Sequence, residues 1–280
     1  MFSLKYPVYF ISGSILIASI TIIAEKKSPK IAGILMSLPV ITFLSLLFIA
    51  VSQGVNFSSK AALWNPMGAI ADLVYMGLFA AGIKIPGYLE QGKQEVAYIC
   101  KNDNFNKVKE IFFGLLIGFA GYFVTIIVLS KLPVDNGWIS LIYLWIASVF
   151  FFLVFKRLGE IKIEKKQIIS SNDIVLRGLF GGAVVAGVVI LADSTGYIWG
   201  GLFSSFPGTI TPVLVLLHLK NGKEMSHSII KSSPIGLSAT GLYSCMVWLL
   251  YPLYGIFVGT AASYLAVIGF LFIIKRTLDF

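Results

Sequence analysis

Apolar residues in this chain come in unbroken runs of about 20 rather than in alternation with polar ones. At ~1.5 Å per residue, such a run is what a helix needs to cross a ~30 Å hydrocarbon layer. A membrane barrel would show segments of ~10 residues alternating polar with apolar, and that pattern is absent. The runs predict nine helical spans: 7–24, 29–52, 64–83, 109–131, 137–155, 174–193, 196–219, 231–250 and 253–274. The longest polar stretches between them are 84–108 and 156–173, and neither is long enough to fold as a domain. The first run is read as a span rather than a cleaved leader, because Ile22-Ile23-Ala24 makes a poor cleavage signal.

Composition agrees with this fold class, an all-α membrane protein. Of 280 residues, 57% are hydrophobic and 12% charged, against about 25% charged in soluble domains. The net charge of +9 would raise the question of nucleic acid in a soluble protein. Here the basic residues sit between apolar runs and report topology. Nine alternating spans place 19 of the 22 Lys and Arg on one side, leaving Lys5, Lys60 and Lys131 on the other. The rich side is cytoplasmic by the positive-inside rule, so the N-terminus is expected outside and the loop 84–108 inside. In a background lacking Cys100 and Cys245, a cysteine introduced at Ser3 should react with an impermeant maleimide added from outside. Reaction from the cytoplasmic side alone would refute the assignment.

The chain also meets itself. A shift of 168 residues pairs Gly13 with Gly181, Glu25 with Asp193, Gly33 with Gly201, Ser37 with Ser205 and Pro39 with Pro207. The same register pairs Gly54 with Gly222, Pro66 with Pro234, Gly68 with Gly236 and Tyr75 with Tyr243. Apolar coincidences between membrane helices are cheap. Glycine and proline coincidences are not, since each sets backbone geometry. After the third span the shift becomes 141, matching Gly114 and Gly118 to Gly255 and Gly259, and the loop 84–108 accounts for the difference. The expected organisation is a first repeat (1–136), a connecting span with its basic loop (137–173) and a second repeat (174–280). Four spans plus one connector turn the second copy upside down. Inverted-topology repeats of this kind recur in secondary transporters.

Two candidate features follow. Proline interrupts two matched spans, at Ser37-Leu38-Pro39 and at Ser204-Ser205-Phe206-Pro207-Gly208-Thr209, the latter followed by Thr211-Pro212. Proline removes a helix donor and frees a carbonyl one turn back. Both breaks lie ~15 Å from their nearer span end, near mid-membrane. The predicted solute site comprises Ser37, Pro39, Ser204, Ser205, Pro207, Gly208 and Thr209, with free N–H groups suited to an anionic or strongly polar solute. The second feature is Asp72, the only acid well inside a predicted span and hence a candidate for proton or cation coupling. Its repeat mate is Thr240, which would make such a site asymmetric.

Other groups have weaker claims. Glu25 and Asp193 read as hairpin residues or salt-bridge gates, and His218 as an interfacial histidine. Gly114/Gly118 and Gly255/Gly259 form small-residue faces for helix packing, within one chain or in a homodimer. Two histidines without HExxH spacing, no Cys/His cluster and no GxSxG elbow argue against an enzyme. No metal or cofactor is expected.

The stretch Ala24-Glu25-Lys26-Lys27-Ser28-Pro29-Lys30-Ile31-Ala32-Gly33-Ile34-Leu35-Met36-Ser37-Leu38-Pro39 resembles the first hairpin of the GlpM-like small bacterial membrane proteins, and Gly200 to Pro207 resembles the same pattern. The resemblance implies a bacterial inner membrane and little about substrate. The duplicated plan is similar to that of the drug/metabolite transporters, which usually have ten spans and both termini inside; this chain departs on both counts. The expected function is a secondary transporter of a small solute, worked by alternating access and coupled to protons. The alternative is a lipid-headgroup flippase or an accessory subunit of envelope assembly. Expected partners are the solute and the bilayer, with no nucleic acid.

Overall fold

The computed structural model describes residues 4–26, 39–87, 103–159 and 170–278. Ser37, Gly33 and most of the hairpin that carries the family resemblance lie outside them, as does most of the loop 84–108. Every regular element among the described residues is a helix: α1 (Lys5–Lys26), α2 (Val40–Gln53), α3 (Val55–Ala62), α4 (Asn65–Gly82), α5 (Asp103–Leu129), α6 (Gly137–Phe155), α7 (Ser171–Thr195), α8 (Tyr197–Phe203), α9 (Ile210–Asn221) and α10 (Lys223–Leu278).

Six of these helices are long and apolar enough to cross a membrane, and α2 and α9 are shorter apolar helices. The nine expected spans therefore do not appear as nine continuous helices. Spans 2 and 7 are the interrupted ones: α2 begins only after Pro39, and span 7 is split into α8 and α9. Spans 8 and 9 form one run, α10, which bends back at Gly255 (φ 72°, ψ −176°). That reversal brings Tyr243 and Tyr264 to a ring separation of 4.9 Å and lets the Tyr251 and Thr260 hydroxyls bond at 2.8 Å. The outer surface is apolar along α1, α5, α6 and the last part of α10, where Phe257 is 90% exposed. Exposing such side chains to water would cost ~2 kcal/mol each, so this surface faces lipid and the protein is membrane-embedded.

Helix ends follow local chemistry. Asn136 caps α6 by accepting from the Trp138 N–H at 2.8 Å. Ser170 and Asp173 form a capping box on α7. Pro66 sits in the first turn of α4, where its missing N–H costs nothing. Gly54 ends α2 with φ 93° and ψ 162°, and Gly222 ends α9 with φ 81° and ψ −174°. Only glycine adopts that conformation readily. Each N–H bonds the carbonyl four residues back, on Ala50 and His218. Gly196, which ends α7 with φ 96° and ψ 178°, turns in the same way and bonds Ala192, so this ending is shared by three helices.

α1 and α7 pack antiparallel. Lys5, which begins α1, meets Asp193 near the end of α7. Farther along, a Cβ on Gly13 would lie 3.3 Å from the Gly182 Cα, and one on Gly178 would lie 2.9 Å from the Ser14 carbonyl oxygen. Small residues admit this close approach. Gly114 and Gly118 serve the same purpose on α5, receiving Phe79 and Tyr75 of α4. Gly259 faces Tyr251 and Leu250 of its own helix run. At Gly114, Gly118 and Gly259 the small-residue faces are thus filled from within the chain, whereas Gly255 is no part of a packing face: it makes the bend in α10, and a Cβ there would meet nothing within 4 Å. α4 is the most enclosed of the long helices, with Ala69, Ala71, Leu73, Tyr75 and Phe79 fully buried, and it carries Asp72 into the centre.

Candidate functional site at the helix breaks

The α8–α9 break begins where Pro207, lacking an N–H, cannot continue the helix. Ser204 is the last residue bonded back to α8 by a full helical turn, through its N–H to the Gly200 carbonyl at 3.0 Å. Regular structure resumes at Ile210. In the other half Pro39 stands at the N-cap of α2 with φ −78° and ψ 64°, and its carbonyl receives the Phe43 N–H at 2.8 Å.

The two breaks touch. Thr42, in the first turn of α2, donates its hydroxyl to the Ser204 carbonyl at 3.1 Å. Asn65, fully buried at the start of α4, donates to the Ser204 hydroxyl at 2.8 Å and accepts from the Ser244 hydroxyl of α10 at 2.7 Å. One amide therefore joins α4, the break and α10. Composition gives no hint of Asn65, Thr42 or Ser244 as site residues. The available signal is an uncharged polar residue opening an apolar span, just before Pro66.

Asp72 abuts the same break. Gly68, one turn earlier on α4, lies so close to it that a Cβ there would fall 2.1 Å from the Leu202 carbonyl oxygen and 2.4 Å from the Ser205 hydroxyl. Residues 68 and 72 share a helix face. Three residues beyond Asp72, the Tyr75 hydroxyl bonds that of Thr211 in α9 at 2.9 Å. From α5 the Tyr122 hydroxyl reaches the Leu202 carbonyl at 3.3 Å. Aromatic rings close the surroundings: Phe206, inside the break, stacks on Phe119 at 5.7 Å and meets Tyr122 edge-on at 5.4 Å.

Asp72 is 3% exposed, and its Oδ1 has no hydrogen-bond partner among the described residues. Asp72 is therefore enclosed by protein. The supply of free amide donors is smaller than the sequence suggests. The N–H groups of Ser204, Phe206, Gly208 and Thr211 are all engaged within the break. What the break offers is one carboxyl group, the hydroxyls of Ser205, Thr211, Tyr75 and Tyr122, and the Leu202 carbonyl.

His218 departs from its expected interfacial setting. It is fully buried, with Nδ1 3.2 Å from the Ser226 hydroxyl and Nε2 2.9 Å from a Glu110 carboxylate oxygen. Glu110 of α5 and Ser226 in the first turn of α10 meet it, which position along α9 alone does not foretell. Asp193 is gathered into a polar cluster described below. Among the described residues, no three His, Cys, Asp or Glu side chains gather as a metal site.

No protein-family model, no curated protein and no solved structure matches this chain.

Proposed function

We propose that the chain is a secondary transporter that moves a small solute by alternating access, with the solute bound at the paired breaks and Asp72 carrying the coupling proton. The supporting observation is the convergence of Thr42, Ser204 and Gly68: two proline-interrupted segments, distant in sequence, meet beside a buried carboxyl group whose Oδ1 lacks a partner among the described residues. Interrupted helices at matching places in two halves are the usual construction of a midplane binding site. An acid inside a membrane bundle marks an ion or proton path.

The inverted 4+1+4 repeat belongs to the same reading. Its support is the antiparallel pairing of α1 with α7, the segments that the 168-residue shift equates. Nine crossings, an outside N-terminus and a bacterial inner membrane complete the proposal. Two related halves of opposite orientation give two conformations of similar energy, each open to one side.

The test uses the full-length protein in liposomes with a pH dye inside. Organic anions, organic cations, amino acids and polyols are added outside in turn. A change in internal pH that depends on one solute class supports the carrier. Bleaching of inner-leaflet fluorescent phospholipid by external dithionite, with no solute-dependent pH change, would favour the flippase instead. Ser205→Ala should weaken solute binding by ~1 kcal/mol for one lost hydrogen bond, about five-fold in affinity. An unchanged affinity would remove Ser205 from the site.

A further inference from the structure

We propose that two polar clasps, at opposite ends of the α1–α7 pair, are the gates of the transport cycle; the proposal rests on the transport reading above. At one end the Asp193 carboxylate, its side chain 10% exposed, collects four donors. Lys5 Nζ lies at 2.7 Å, the Tyr6 hydroxyl at 2.9 Å, the Ser52 hydroxyl at 2.9 Å and Gln53 Nε2 at 2.7 Å. Lys5 also donates to Ser52. The beginning of α1, the end of α2 and the end of α7 are thereby tied, which joins the first half to the second.

At the other end Lys220 donates to Asp173, whose side chain is also 10% exposed. These groups lie at the end of α9 and the beginning of α7. The shift of 168 residues carries Lys5 onto Asp173, Ser52 onto Lys220 and Glu25 onto Asp193. So the Lys5–Ser52 contact at one end and the Asp173–Lys220 contact at the other occupy equivalent positions of the repeat.

An isolated surface ion pair is worth little, and coincidence would explain one such pair. It does not explain a cluster and a pair built from equivalent helix ends. Asp173 and Asp193 are 20 residues apart on one helix, which separates the clasps by ~30 Å, about the hydrocarbon thickness. The helix breaks lie between them. Releasing one clasp frees one end of the α1–α7 pair while the other stays tied, which is what alternation between two faces requires.

The experiment follows a cysteine at position 205 (Ser205→Cys) in full-length protein lacking Cys100 and Cys245, in sealed membranes of both orientations. The readout is the rate of labelling by an impermeant maleimide from each side. Asp193→Asn should shift the ratio of the two rates toward the side that holds residue 193, by roughly five-fold or more, the lower end of ordinary coupling between two states. Lys220→Gln should shift it the other way. Reversing the pair, Lys5→Asp with Asp193→Lys, should return the ratio toward that of the parent, a rescue that a folding defect would not give. Ratios unchanged in all variants, or shifted in one direction by both clasps, would overturn the gates. Should Asp193→Asn fail to fold, Lys220→Gln and the reversed pair decide alone. Failure of the transport reading looks different: position 205 would then be labelled from one side only in the parent and in every variant.

Discussion

Asp72→Asn is expected to abolish accumulation of solute against its gradient in liposomes carrying a pH difference, while exchange of labelled for unlabelled solute continues near the parent rate. The substitution keeps the shape of the side chain and removes its ability to gain and lose a proton. Asp72 lies one turn from the Gly68 contact with the break and three residues from Tyr75, whose hydroxyl bonds Thr211. An ionised carboxyl group without a partner in such a setting costs several kcal/mol. A proton removes that cost, and release of the proton toward water restores the charge. Tying the two events to opening on different sides converts a pH difference into solute movement. Asparagine can still occupy the space and hydrogen-bond, so equilibration of solute should survive. Normal accumulation by Asp72→Asn under a pH gradient would exclude this role. Loss of exchange as well would mean that the carboxyl group binds solute directly.

The second large effect is expected at Gly68. A methyl group there would lie 2.1 Å from the Leu202 carbonyl oxygen and 2.9 Å from the Leu202 carbonyl carbon. The obstruction is backbone, so it cannot rotate aside. Gly68→Ala should therefore cost about 3 kcal/mol, the upper end of overpacking. Near ~3 °C per kcal/mol for a chain of this size, that is a fall of roughly 10 °C in the Tm of the detergent-solubilised protein. It should also push Leu202 and Ser205 away from Asp72 and slow transport. The control is built into the sequence. At Gly236, the repeat mate of Gly68, an added methyl group would meet nothing within 4 Å, and alanine favours a helix over glycine by up to ~1 kcal/mol. Gly236→Ala should leave the Tm unchanged or raise it slightly. Equal losses at both positions would mean that α4 does not approach the break as described.

Which features can be read beforehand follows from what each residue costs. The long apolar runs are legible because lipid admits few alternatives to helices. The interruptions at Pro39 and Pro207 are legible because proline dictates its own backbone, and Asp72 because an acid within an apolar run is expensive. Asn65, Thr42 and Ser244 carry no charge and are tolerated in many places along a membrane helix. Only tertiary contact makes them a junction, and Asn65 and Ser244 stand 179 residues apart. Distance from the end of a span puts His218 at the interface, whereas Glu110 and Ser226, from two other helices, decide its burial. Spans 2 and 7 do not form single helices because the chain breaks at Pro39 and near Pro207, so that α8 stops after seven residues.

The reach of Asn65 also sets a timetable for insertion into the membrane. Its partners Ser204 and Ser244 lie 139 and 179 residues further along. At about 5–20 residues per second of synthesis, Ser244 follows Asn65 out of the ribosome roughly 10–40 s later. Until Ser204 emerges the first four helices are in or near the bilayer with that amide lacking both of those partners, and until Ser244 follows it still lacks one. An unsatisfied amide in hydrocarbon is costly, so the nascent half must borrow water, lipid headgroups or an insertion factor until the second half arrives. Chains released before residue 244 would keep that defect permanently, and membrane proteases should clear them faster than the full-length protein.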